Sequence, residues 1–115
     1  MTVVTLTVQD VALAGITPAY VAVTATDGVQ FLNDGNTFLQ FKNTNGATRT
    51  ATLVTPATVR GVAIENPTVV VPITTGDKMI GPFAPEVFND AAGMMVATVS
   101  AFADLTAGAF RVRPI

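Results

Sequence analysis

The chain alternates apolar and polar residues over short runs, a pattern typical of half-buried β-strands. In "TVVTLTV" near the start, Val4, Leu6 and Val8 share one face, and the threonines between them share the other. Threonine and valine dominate throughout, and their branched Cβ atoms favour extended backbone. Because no window repeats with a helical period, we expect no helix longer than about two turns.

The middle of the chain predicts a hairpin. "TFLQFKN" places Leu39 and Phe41 on one face, and "TRTATLV" places Ala51 and Leu53 inward. The Asn45-Gly46 pair between them suits a two-residue hairpin turn. We therefore expect these two strands to lie side by side in one sheet.

A second hairpin is predicted further on, between "TVVVPI" and "MIGPF". Pro72 cannot donate a ladder hydrogen bond, so the first of these strands belongs at a sheet edge or at a bulge. Pro82 and Pro85 fix the backbone and end the return strand. Phe83 and Phe88 are then expected to close one end of the core.

Other alternating or apolar runs complete the set of strands. The strand at 94–102 places Met95, Ala97, Val99 and Ala101 on one side, and the strand at 109–115 places Phe110 and Val112 inward. These further strands are predicted at Tyr20–Ala25, Val29–Leu32, Val62–Ile64, 94–102 and 109–115. In the first of them, Val21 and Val23 lie on one face. The strand at Val62–Ile64 lies within the irregular connection 55–67. Recurrence at about every 8 to 12 residues predicts an all-β fold in a single domain, 1–115: an antiparallel β-sandwich of jelly-roll type, with a small closed barrel as the alternative.

Composition removes several kinds of function. The chain has no His and no Cys, which are the usual general base, metal ligands and nucleophiles. Net charge is −2, and the six Lys and Arg residues are scattered, with Arg111 and Arg113 the only close pair. Phosphate-driven nucleic-acid binding is therefore not expected. No apolar run reaches the length of a membrane span, and the N-terminus lacks the pattern of a signal peptide, so synthesis in a cytoplasm without membrane association is expected.

The acidic residues predict turns rather than catalysis or metal binding. Asp side chains bond to their own local backbone, which suits these positions. Ser100 has no histidine to activate it, and "NDGN" at 33–36 holds one carboxylate where a calcium loop needs several. We expect no enzyme, no metal and no cofactor. The aspartates in question lie at strand ends or turns: Asp10, Asp27, Asp34, Asp77, Asp90 and Asp104.

The surface is short of charge. Only 12% of residues are charged, against about 25% in ordinary soluble domains. Threonine is abundant enough to supply a polar, uncharged surface, and coverage of the surface by neighbours in an assembly is the other interpretation. Trp is absent and Tyr20 is the only tyrosine, so the stacking platform of a sugar-binding module is less favoured than a core role for the phenylalanines.

"KMIGPFAPEVFND", residues 78–90, has two interpretations. It is either a corner that ends a strand or a docking surface. The corner is the simpler of the two, because prolines interrupt strand pairing. If it docks, its exposed candidates are Pro82, Pro85 and Glu86, together with the chain termini.

Two long segments carry a family resemblance: "TPAYVAVTATDGVQFLNDGNTFLQFKN" and "GPFAPEVFNDAAGMMVATVS". They resemble small β-sandwich structural proteins of tailed bacteriophages, several of which are similar to capsid decoration (cement) proteins. The shared positions are turns and core residues spread over about the whole chain. The resemblance implies a virion component on the capsid exterior that binds the major capsid protein and neighbouring copies of itself. A neck, tail or baseplate role is the structural alternative, and a carbohydrate-binding module is the alternative of another class.

Overall fold

The computed structural model describes residues 3–74 and 76–112 and is all-β, with one short helix. The helix α1 is a single turn, Pro85–Phe88, in agreement with the prediction of no long helix in this part of the chain. The strands are β1 Val4–Thr5, β2 Val8–Asp10, β3 Val21–Ala22, β4 Val29–Leu32, β5 Thr37–Asn43, β6 Arg49–Leu53, β7 Thr58–Val59, β8 Val62–Ala63, β9 Thr68–Val71, β10 Gly76–Ile80, β11 Met94–Val99 and β12 Leu105–Arg111.

Two sheets share the core, and a third, two-stranded sheet lies apart from them. Sheet 1 has the order β1-β4-β11-β6-β9, and sheet 2 has the order β10-β5-β12-β2, with β3 also paired to β12. The third consists of β7 and β8 alone. Both large sheets have edge strands, so the fold is not the closed barrel that the sequence left open. The edge position expected for "TVVVPI" is confirmed, because β9 ends sheet 1.

The N-terminal segment makes both large sheets mixed rather than purely antiparallel. β1 pairs in parallel with β4 in sheet 1, and β2 pairs in parallel with β12 in sheet 2. The chain thus changes sheets at Leu6, whose side chain is buried between them. The expectation of a wholly antiparallel sandwich was wrong here, since alternation within a strand says nothing about the direction of its neighbour.

The core lies between the two large sheets and follows the predicted inward faces in the central strands. The inward positions predicted in β5, β6 and β11 are all confirmed as buried. At one end, Phe83 packs against Phe31 and Phe88, with ring centroids 5.9 Å and 5.3 Å apart. This confirms that Phe83 and Phe88 close that end. The confirmed inward residues are Leu39, Phe41, Ala51, Leu53, Met95, Ala97 and Val99.

Both predicted hairpins were wrong. β5 pairs with β10 and β12 in sheet 2, whereas β6 pairs with β9 and β11 in sheet 1. The Asn45-Gly46 segment therefore carries the chain from one sheet to the other. The connection from β9 to β10 crosses in the same way, because β10 begins at Gly76 in sheet 2.

Asn43 holds the two crossing segments together. Its side chain is fully buried, and its Nδ2 donates to the carbonyls of Ala47 and Pro72, each at 3.0 Å. Its Oδ1 accepts from the Asn45 amide at 3.0 Å. A buried amide that satisfies backbone groups of two connections at once favours crossing over, because these groups would otherwise lie unpaired in the core.

The last strand packs with the opposite face to the one predicted. Leu105, Ala107 and Ala109 face the core, so Phe110 lies on the outer face and Val112 is 52% exposed. Ala107 and Ala109 stand beside Phe41 and Leu39 of β5, which fill the inter-sheet space and leave room for small side chains only. The strand predicted at Tyr20–Ala25 shortens to β3, with Val21 exposed and Val23 buried. Arg113 lies outside the described residues.

Candidate functional site

An aromatic cluster covers the outer face of sheet 2. Phe38 and Phe110 stack with centroids 5.5 Å apart, and Tyr20 meets Phe110 edge-on at 6.0 Å. Phe110 is only 4% exposed although it lies outside the core cluster. The cluster forms because β5 and β12 each carry an aromatic on the face turned away from sheet 1. The sequence prediction missed it by assigning Phe110 to the core.

A chain of polar contacts fixes one side of this cluster. The Tyr20 hydroxyl donates to Gln40 Oε1 at 2.9 Å, and Gln40 Nε2 donates to Asp77 Oδ1 at 2.6 Å. Lys42 Nζ stands 4.5 Å from the centre of the Tyr20 ring, within the range of a cation–π interaction. These contacts leave the opposite side, towards Phe38 and Met79, as the open side.

An apolar groove opens there. It has a volume of ≈ 410 Å³, and none of the described residues that line it is charged. Met79, which projects into it from β10, is 67% exposed. A smaller hollow of ≈ 230 Å³ adjoins it through Phe38 and Met79. The lining of the larger groove, called the apolar groove below, is Gly35, Asn36, Thr37, Phe38, Met79, Ile80, Gly81, Pro82 and Val112.

Two of the three docking candidates from the sequence, Pro82 and Pro85, lie at this groove. Pro82 lines the groove itself. Pro85 packs beside Gly35, its Cδ 3.4 Å from the point where a Cβ on Gly35 would stand. Glu86 is exposed on α1, next to Pro85. The corner therefore ends a strand, as the simpler interpretation had it, and through Pro82 it also borders the apolar groove.

An ion cluster lies beyond the same groove. Arg111 donates from Nε to Asp10 Oδ1 at 2.6 Å and from Nη1 to Asp34 Oδ2 at 3.3 Å. The amide of Asn36, together with Thr37 and Arg111, holds the pKa of Asp34 below its ordinary value, against a smaller opposing effect of burial. Asp10, mainly by its hydrogen bond, raises the pKa of Arg111. The cluster joins β2, β12 and the 33–36 turn. The turn role of Asp34 is confirmed, because its Oδ1 accepts a hydrogen bond from the Asn36 amide two residues on.

The segment between β2 and β3, residues 11–19, forms an exposed N-terminal loop without a charged residue. Gln9 closes its base, because its side chain both donates to and accepts from the backbone of Ala19, at 2.8 and 2.9 Å. Leu13 at its tip is fully exposed (101%). Val11 and Ile16, on either side of it, line the smaller hollow. The sequence signal was the charge-free run, which the prediction treated only as a break between strands.

Within residues 3–74 and 76–112, no three His, Cys, Asp or Glu side chains group as a metal ion would require. The Asp34 carboxylate, considered for calcium, accepts hydrogen bonds from Asn36, Thr37 and Arg111. No helix of the described chain is long and apolar enough to cross a membrane.

Comparison with known proteins adds no relative. No family model matches the chain, and neither the curated proteins nor the solved structures give a match.

Proposed function

We propose that the protein is a structural component of a tailed-bacteriophage virion, a head decoration protein that binds the outside of the major capsid shell and stabilises it. The proposal includes the jelly-roll order of connections and no catalysed reaction. Its support from the sequence is the resemblance of residues 17–43 and 81–100 to such proteins. Its support from the structure is the N-terminal loop, where Leu13 is fully exposed within an uncharged surface.

The exposed leucine is the observation that carries the proposal. A fully exposed Leu at a loop tip gains about 1.5–3 kcal/mol when a partner buries it. Large apolar side chains exposed together mark protein–protein contact sites. A shell presents the same surface many times, so linked weak contacts of this size add up through multivalency.

Co-sedimentation with empty capsids tests this proposal. Wild-type protein is titrated against capsids at low salt and at about 1 M salt, where the Debye length falls to about 3 Å. Apolar docking survives that change, so occupancy should hold. Leu13→Asp should abolish it, whereas Leu32→Asp should not. Leu32 is a matched control because it is another exposed leucine, on β4 of the opposite sheet.

Three outcomes count against the proposal. Loss of binding at high salt means that charge and not apolar contact holds the protein. Equal binding by Leu13→Asp and wild type removes the N-terminal loop as the docking surface. No binding by folded wild-type protein removes the decoration role and favours a neck, tail or baseplate position.

A carbohydrate-binding module is the second candidate, favoured by the outer aromatic cluster. Tyr20 and Phe38 are half-buried there beside the polar groups of Gln40 and Asp77. Against it, Phe110 is buried, and the Tyr20 ring is inclined at 65° to that of Phe110, so the rings do not form one platform. Oligosaccharide binding that Phe38→Ala removes would favour this candidate over shell docking.

A further inference from the structure

Asn45 carries a carboxamide next to an unengaged backbone amide. Of the six asparagines in the chain, it alone precedes a glycine. Gly46 is exposed, and a Cβ built on it would meet nothing within 4 Å. Within residues 3–74 and 76–112, the Gly46 amide donates to no acceptor, whereas the amides of Asn45 and Ala47 on either side donate to side-chain oxygens. The Gly46 nitrogen is therefore open to approach, with no Cβ to crowd it.

Two hydrogen bonds hold the Asn45 carboxamide, one at each of its polar atoms. Its Oδ1 accepts from the Ala47 amide at 2.9 Å, in the turn by which an Asn side chain bonds to its own backbone two residues on. Its Nδ2 donates to Asp104 Oδ2 at 2.9 Å. A donor aimed at Oδ1 stabilises the negative charge that forms there when a nucleophile adds to Cγ. The side chain thus presents an activated carbon, with a backbone nitrogen one residue away.

The two Asp-Gly pairs of the chain lack this opening. The Gly28 amide donates to the Ala25 carbonyl at 3.1 Å, and Gly28 packs against the Ala97 backbone. The Gly35 amide donates to Asn33 Oδ1 at 3.1 Å. An engaged amide must give up its hydrogen bond before its nitrogen can react, and that loss adds to the barrier. Of the three sites where Asn or Asp precedes Gly, the fold therefore leaves only the one at Asn45 open.

We propose that Asn45-Gly46 is a self-modification site, at which the Gly46 nitrogen attacks Cγ of Asn45. The nitrogen loses its proton to water and bonds to Cγ, which closes a succinimide ring. The Cγ–Nδ2 bond breaks, and the leaving nitrogen takes a proton from water and departs as ammonia. A further water opens the ring at either carbonyl, which leaves aspartate or isoaspartate at position 45. Nothing is oxidised or reduced, and the attack is fast for its kind because it is intramolecular.

The product places a new charge in the segment between β5 and β6. The chain, with a net charge of −2, gains one further negative charge. The new carboxylate replaces the donor to Asp104 Oδ2, so two like charges face each other where a hydrogen bond of 2.9 Å stood. The carbonyl of the same residue accepts from the Thr74 amide at 2.9 Å. Modification therefore weakens, as the protein ages, a residue that joins three connections of the fold.

Peptide mapping by mass spectrometry tests the reaction on folded protein incubated at neutral and at alkaline pH. The peptide that holds Asn45 should gain the mass that separates an acid from an amide, with ammonia released in equal amount. The rate should rise with pH, because the Gly46 nitrogen attacks after losing its proton. Gly46→Ala should slow the reaction at least about tenfold, a barrier higher by about 1.4 kcal/mol, because a Cβ crowds the attacking nitrogen. That Cβ meets nothing else within 4 Å, so the variant keeps the fold.

Two comparisons separate a site opened by the fold from a sequence that is merely reactive. The other five asparagines are internal controls and should stay unmodified in the same digest. Protein unfolded in urea gives the rate without the fold, and native protein should react within about tenfold of it, since Gly46 is already open. A native Asn45 that stays unmodified, or reacts more slowly than that limit, would overturn the proposal. So would equal rates for Gly46→Ala and wild type, or another asparagine that reacts as fast.

The effect on the fold is tested with variants that imitate the product. Asn45→Asp should unfold at a lower urea concentration than wild type, and about 1 M salt should narrow the gap by screening the two carboxylates. Asn45→Asp/Asp104→Asn exchanges the two side chains and should recover most of the loss. Asn tolerates the left-handed φ of 59° at position 104 as Asp does.

An Asn45→Asp variant as stable as wild type would contradict the claim that modification weakens the fold. A double variant that recovers nothing would do the same, because it would place the loss outside the contact with Asp104. The inference goes beyond shell docking, which uses the N-terminal loop, and its tests need no capsid. Their failure and the failure of the proposed function are therefore distinguishable.

Discussion

Two turns of the chain, Asn45-Gly46 and Arg60-Gly61, form connections other than those that their sequences suggest. The first has the residues of a tight hairpin turn, yet it carries the chain between sheets. The second lies in a run without clear alternation, yet it closes a two-residue hairpin with φ of 52° and 81°. Gly46 does not have a left-handed φ at all. A turn's residues permit a conformation, but the partners of the flanking strands decide which connection forms.

The difference lies in what stands beside each turn. The crossing segment is adjacent to the fully buried Asn43 and to the buried Arg49, whose Nη2 donates to the Ala103 carbonyl at 3.0 Å. The hairpin is tied only at its base, through Thr55 and Asn66. The crossover is thus part of the packed end of the core, whereas the hairpin projects from it. This comparison leads to three predictions of decreasing size.

The largest effect is expected from removing the amide at the crossover. Asn43→Ala should lower the free energy of unfolding by about 2–4 kcal/mol, because it leaves the Ala47 and Pro72 carbonyls and the Asn45 amide without their partner. Asn66→Ala, the matched change at the hairpin base, should cost only about 1 kcal/mol, since it leaves one group, the Thr55 amide, without its partner, while the Thr55 hydroxyl keeps its bond to the Ile64 carbonyl. Urea unfolding of both variants measures the difference. Equal losses of unfolding free energy would show that the crossover is no more important to stability than the β7–β8 hairpin.

A smaller effect is expected at the two glycines. Gly61→Ala adds a Cβ at φ of 81° and should cost about 1 kcal/mol. Gly46→Ala should stay within about 0.5 kcal/mol of wild type, because a Cβ there meets nothing within 4 Å and needs no left-handed backbone. The midpoints of urea unfolding of the two variants measure these costs. A loss at Gly46 as large as that at Gly61 would contradict the assignment of the two turns.

The smallest effect on stability is expected at Asp34 when the pH is lowered. Asp34, at the end of sheet 2 opposite the crossover, has a lowered pKa, mainly through the Asn36 amide. A lowered carboxyl pKa contributes stability that is present above the ordinary value and is lost as pH falls through the folded one. Its side chain is 44% exposed, so screening keeps the contribution under about 1 kcal/mol.

The measurement compares wild type with Asp34→Asn in urea from about pH 7 to about pH 3. The difference in unfolding free energy should shrink as pH falls, because protonation of Asp34 removes what the variant already lacks. Asn43→Ala serves as the control, since its deficit comes from neutral hydrogen bonds and should keep its size. A pH-independent difference for Asp34→Asn would show that the 33–36 turn does not depend on this charge.

The residues of the candidate site were predictable only in part. The sequence singled out Pro82, Pro85 and Glu86 because prolines end strands at exposed corners. The structure places Pro82 in the lining of the apolar groove and Pro85 beside Gly35 of that lining, whereas Glu86 is exposed on α1. The sequence did not predict the groove, because Phe38, Met79 and Val112 come from three distant segments. Their proximity depends on the pairing of β5 with both β10 and β12.

The sequence by itself determined the central strands and most of their inward faces, because alternation over five to seven residues is a local property of the backbone. β4 was predicted with its exact ends, and the buried positions of β5, β6 and β11 follow their patterns. Only the tertiary structure decided which sheet each strand joins, the parallel direction of β1 and β2, and the face of β12 that packs inward. Those choices depend on long-range pairing, on the space left beside Phe41 and Leu39, and on the buried hydrogen bonds of Asn43.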